Sequence, residues 1–94
     1  MADYERSTVF STRQVFEKAH EVLTTRAELE RREESRHGAI YSGAEGTVDI
    51  DVHRHGPSTV VTIRTDRLRT SKVDGVVRYL MNQLPYQHGD PPRE

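Results

Sequence analysis

Residues 47–66, TVDIDVHRHGPSTVVTIRTD, carry two alternating stripes joined by His55-Gly56-Pro57-Ser58. Successive side chains on a strand point to opposite faces, so Val48, Ile50 and Val52 share one side of the first arm and Asp49, Asp51, His53 and His55 the other. The second arm repeats the pattern, with Val61 and Ile63 on the apolar side and Val60, Thr62, Arg64 and Asp66 opposite. The segment therefore reads as a β-hairpin with one buried and one solvated face. A register in which paired residue numbers sum to 113 sets Val52 against Val61, Ile50 against Ile63, Asp51 against Thr62 and Asp49 against Arg64, keeping both apolar stripes inward.

Outward from the hairpin, Val73, Val76, Val77, Leu80, Met81 and Leu84 fall at helical spacing and predict an amphipathic helix over 73–84, stopped by Pro85. Ser71 with Asp74 resembles a capping box at its start. Upstream, residues 5–10 end in Thr8-Val9-Phe10 and read as a first strand. Ser11 with Gln14 forms a capping box, with Phe10 and Val15 as a hydrophobic staple, and Val15, Phe16, Ala19, Val22 and Leu23 continue a helix over about 12–25. Residues 39–42 read as a strand between two glycine-containing turns.

The segment 26–36 has two readings. Its Glu, Arg and Leu residues suit an extension of helix one. The apolar stripe almost stops after Leu23, however, and two threonines interrupt the helix formers, which favours a polar edge strand at about 28–33, protected by its charges from pairing with other chains. The expected architecture is thus a single α+β domain over 1–87: strand, helix, three or four antiparallel strands, helix, with both helices on one face of the sheet. Residues 88–94 are expected to be a disordered tail.

At 94 residues with charged side chains (31%) nearly matching hydrophobic ones (33%), there is room for one thin core and no second domain. Fourteen basic residues against fifteen acidic ones leave no global field to attract nucleic acid or an anionic membrane. Cysteine is absent, which removes disulfides, thiol catalysis and thiolate ligands. The first residues lack the apolar core of a signal peptide and no run is long enough to span a bilayer, so a cytoplasmic location is expected.

The strand–helix–strands–helix order resembles the helix-grip arrangement of the START-related lipid-transfer and polyketide-cyclase superfamily, as an abbreviated relative. It is also similar to the TATA-box-binding-protein half-domain. Thr8-Val9-Phe10-Ser11 leading into Val15-Phe16, the hairpin 48–65 and the helix 73–84 carry the likeness, which is one of topology and does not by itself establish function. In the helix-grip superfamily the last helix and the curved sheet enclose an apolar ligand cavity, in longer chains. The resemblance implies a small apolar ligand or a partner held between the last helix and the sheet, lined here by Phe16, Val61, Ile63, Val77, Tyr79, Leu80 and Met81.

Three constellations carry candidate chemistry. Asp51, His53 and His55, with Asp49 on the same face, offer imidazole and carboxylate to a divalent metal such as zinc. The competing reading is a solvated face on which Asp49 pairs with Arg64. Arginine supplies twelve of the fourteen basic residues, with Arg64, Arg67 and Arg69 close together. The DNA-binding half-domain needs apolar wedges on its open sheet face, whereas this face carries Asp and His, which argues against nucleic acid. Tyr79, Leu84, Pro85, Tyr86 and His88 gather at the end of the last helix, where a ligand mouth or a homodimer contact can form. No phosphate-binding glycine loop, nucleophile elbow or zinc-protease helix is present. The sequence therefore favours a small non-enzymatic binding domain without a cofactor, with a metal-binding protein as the alternative.

Overall fold

The computed structural model describes residues 2–67 and 71–85. Seven elements follow one another: β1 (Ala2–Thr8), α1 (Thr12–Arg26), β2 (Glu30–Glu34), β3 (Gly38–Gly43), β4 (Gly46–His55), β5 (Ser58–Thr65) and α2 (Lys72–Gln83). The strands form one antiparallel sheet in the order β1-β5-β4-β3-β2, so the hairpin lies at its centre and β1 and β2 at its edges. This is the expected α+β architecture, with four strands after α1, and it is compatible with a helix-grip-like topology. The expected tail at 88–94, Tyr86, His88 and the lead into the last helix at 68–70 lie outside the described residues. Among the described residues no helix is long and apolar enough to cross a membrane.

The β4–β5 register pairs Ile50 with Ile63 and Val52 with Val61. All four are wholly buried beneath Val15, Val22 and Leu23 of α1 and Val73, Val77 and Leu80 of α2. Burial of each such side chain stabilises the fold by about 1.5–3 kcal/mol. The capping box at Ser11 and Gln14 forms in both directions. At α2 only half of one forms: the Ser71 hydroxyl accepts from the Asp74 amide, but the Asp74 carboxylate turns to Tyr4 and Arg78. Leu84 takes an extended conformation before Pro85, as the proline requires.

Segment 26–36 resolves into a helix end and an edge strand. The helix ends at Ala27, where Glu28 adopts a left-handed conformation (φ 55°) and the Leu29 amide returns to the Leu23 carbonyl, with Ala27 and Leu29 both buried. The left-handed residue costs about 1–2 kcal/mol, and burying Leu29 gains about 1.5–3.

The first strand is displaced from its expected position. It occupies 2–8 rather than 5–10, and Val9 is half exposed beyond it. Its partners on β5 place Tyr4 beside Ile63, Arg6 beside Val61 and Thr8 beside Thr59, so the stripe facing the helices is the polar one. The physical reason lies at the end of α2, whose last carbonyls lack partners within the helix. Arg6 donates to the carbonyls of Met81 and Leu84, the latter at 3.0 Å, and the Thr8 hydroxyl donates to the Pro85 carbonyl at 2.5 Å.

Candidate functional site

The expected apolar lining divides into three groups. Val61, Ile63, Val77 and Leu80 are 0–1% exposed and pack into the continuous core. Phe16 lies half-buried at the margin of that core. Tyr79 stands on the outer side of α2, 36% exposed, with the Arg26 guanidinium 3.9 Å above its ring and 3.2 Å from its hydroxyl. Met81 is buried, yet it also lines an open cleft of about 440 Å³ where α2 meets β1.

That cleft is built from residues with fixed positions. Tyr4 and Arg6 come from the helix-facing stripe of β1, and Arg78, Met81 and Asn82 from the last turns of α2. The Tyr4 hydroxyl donates to wholly buried Asp74 at 2.7 Å and Arg78 donates to the same carboxylate at 3.0 Å. Asp3 and Glu5, which alternate toward the other face of the sheet, also border it. The result is an aromatic ring, a thioether and a guanidinium around one hollow, with the Asn82 side chain among its lining. Such walls suit a flat apolar body carrying a hydrogen-bond donor.

A second hollow, a groove of about 640 Å³, opens between α1 and β2. Its β2 wall depends on a bulge. The β2–β3 register pairs Arg31 with Tyr41 and Glu34 with Ala39, with the irregularity between Arg31 and Glu33. The extra residue reverses the alternation, so Arg31 and Glu34, three apart, both lie on the helix side and pair at 3.7 Å. Tyr41, 2% exposed, lies beneath them, and its hydroxyl is 2.8 Å from Nδ1 of His20 on α1.

Burial pushes the Tyr41 hydroxyl above its ordinary pKa; the charge and hydrogen bond of Arg31 pull it down, and Glu34 pushes it up again. The folded chain thus holds this proton to higher pH than the unfolded chain. Its contribution to stability is intact below about pH 10 and is lost as pH rises from there through the raised folded value. Urea unfolding at about pH 8 and about pH 11 is expected to show the wild type losing more stability than Tyr41→Phe between the two conditions. Equal losses would contradict a buried, neutral tyrosine.

On the helix-free face of the sheet, Asp49, Asp51, His53 and His55 alternate outward along β4 as expected. Asp49 stands opposite Arg64, but Arg64 reaches Asp51 at 3.5 Å and Asp3 at 3.8 Å instead of pairing with Asp49. These exposed contacts contribute about 0–1 kcal/mol each. The turn before β3 brings the His37 ring to 6.2 Å from that of His53, with the Val52 amide bonded to the His37 carbonyl. Among the described residues no three His, Asp or Glu side chains form a group that could hold a metal ion.

Sequence reasoning missed Tyr4, Arg6 and Arg78 in the cleft, the anchoring role of Asp74 behind it, and His20, Arg31 and Tyr41 at the groove. The Tyr4-Arg6-Thr8 alternation was a usable signal, but a polar stripe reads as a solvent face until the end of α2 is placed over it. Comparison with known proteins gives no matching family model and no matching curated protein.

Proposed function

We propose that the chain is a small non-enzymatic binding domain that takes a small apolar ligand, or the apolar side chain of a partner, between its C-terminal helix and the sheet. The observation that carries this reading is the cleft of about 440 Å³ at the α2–β1 seam, beside a core already filled by Val61, Ile63, Val77 and Leu80. Interiors packed at ordinary density leave no ligand volume, so binding falls where helix and sheet part. The polar groups of the cleft support binding over catalysis, because Tyr4 and Arg6 are engaged in holding α2 to β1 and Arg78 is engaged with Asp74 of its own helix. The resemblance to the START-related superfamily supports the same seam, since its ligands lie between the last helix and the sheet.

Indole is a suitable probe, with a flat apolar face for Tyr4, Met81 and Arg78 and an N–H for the rim. A titration of the whole chain followed by amide NMR is expected to give saturable shifts at Tyr4, Arg6, Met81 and Asn82. Shifts elsewhere only, or none up to about 10 mM, would overturn the reading, since weaker binding corresponds to less than about 3 kcal/mol.

The second reading is a metal-binding protein using Asp51, His53 and His55 on the exposed face of the hairpin. The approach of His37 to His53 favours it by setting two imidazoles side by side, to which Asp51 and His55 would have to move. Stoichiometric zinc uptake that is lost in His53→Ala would establish this reading; no uptake by the wild type would remove it.

A further inference from the structure

We infer that the groove between α1 and β2 is a binding site for a small organic anion, an aryl carboxylate in shape and charge. The site is separate from the α2–β1 cleft, and goes beyond the reading given for it.

The charge at the groove is the first argument. Arg13 on one wall and Arg31 and Arg36 on the other face two carboxylates, Glu17 and Glu34. Glu17 pairs with Arg13 at 3.2 Å and Glu34 with Arg31 at 3.7 Å, while Arg36 has no carboxylate within ion-pair distance among the described residues. One guanidinium fork at the rim is thus left for an incoming anion, and arginine forks match a carboxylate with two parallel hydrogen bonds.

The hydrogen bonds at the base of the groove are the second argument. Nδ1 of His20 and the Tyr41 hydroxyl share a hydrogen bond at 2.8 Å, whose direction follows the imidazole tautomer. In the tautomer in which the phenol donates, Nε2 of His20 is a donor on an exposed residue. Through this chain Tyr41 acts as a positioning residue for His20. The half-buried ring of Phe16 supplies an apolar wall along the same groove. An imidazole donor, a spare arginine and an aromatic wall select a ligand that is anionic at one end and flat and apolar at the other. A volume of about 640 Å³ is ample for two fused rings and a carboxylate.

The test is an amide NMR titration of the whole chain with 2-naphthoate, its neutral counterpart 2-naphthalenemethanol, and inorganic phosphate. Naphthoate is expected to give saturable shifts at Phe16, His20, Arg31 and Ser35, with the alcohol and phosphate each weaker by about tenfold or more. Arg36→Gln, at an exposed position, is expected to weaken naphthoate binding by about tenfold without changing the spectrum of the free protein. Equal affinity for naphthoate and the alcohol would make the groove a non-specific apolar surface and overturn the inference. Phosphate binding as tight as naphthoate, undiminished binding by Arg36→Gln, or no saturable shift at these residues would overturn it as well. Indole binding at the α2–β1 cleft is read from different amides, so either site can fail without the other.

Discussion

Asp74→Ala is expected to lower the unfolding free energy by about 2–3 kcal/mol in urea denaturation. Asp74 is 0% exposed and joins α2 to a strand seventy residues away in sequence, accepting from the Tyr4 hydroxyl at 2.7 Å. Its contact with Arg78 counts for less, because that side chain is 56% exposed and screened by solvent. Most of the loss therefore comes from the bond to Tyr4 and from removing a carboxylate at the positive end of α2. Tyr4→Phe is expected to cost about 1–2 kcal/mol, with a coupling of about 1 kcal/mol in the double-mutant cycle. A cost below about 0.5 kcal/mol for Asp74→Ala would mean that α2 is not anchored to β1 through this residue. The walls of the cleft would then not be held as described.

Ile63→Ala is expected to cost about 3–4 kcal/mol, near the upper part of the range for buried isoleucine. Ile63 is 0% exposed at the centre of the sheet, opposed by Ile50 on one side and Tyr4 on the other. Close packing on both sides and beneath the helices leaves little freedom to collapse into the space, so the cavity term adds to the lost transfer energy. For a domain of this size the loss approaches half of a total of about 5–10 kcal/mol. The same substitution bears on function. A cost near 1 kcal/mol would indicate a loosely filled interior with space for a ligand among Ile63, Val77 and Leu80.

The central hairpin was legible to the residue, because two alternating stripes around a glycine-proline turn allow one register in which both apolar faces meet. The last helix and the Ser11–Gln14 cap were legible for the same reason: periodicity and local hydrogen bonding act within a few residues. For 26–36 the fading apolar stripe favoured the edge strand that forms at 30–34, while the left-handed turn at Glu28 had no glycine to mark it. The inward stripe of β1 had no signature in the sequence, because Arg6 and Thr8 owe their burial to carbonyls at the far end of the chain. The groove depended on the bulge in β2, a one-residue irregularity without a glycine to mark it. His37 reached His53 through a backbone bond to Val52 that no spacing rule anticipates. Long-range polar contacts thus position most of the surface hollows, whereas local apolar patterns position the core.

The most direct test of the proposed binding seam is the methyl resonance of Met81 during an indole titration, recorded for the wild type and for Asn82→Trp. Asn82 is an exposed cleft residue, so the larger ring occupies the hollow without entering the core. The account predicts a saturable displacement of the Met81 methyl in the wild type, reduced by about tenfold or more in affinity in the variant. A Met81 methyl that stays in place while indole binds, or one that moves equally in both proteins, would contradict a ligand site between the C-terminal helix and the sheet.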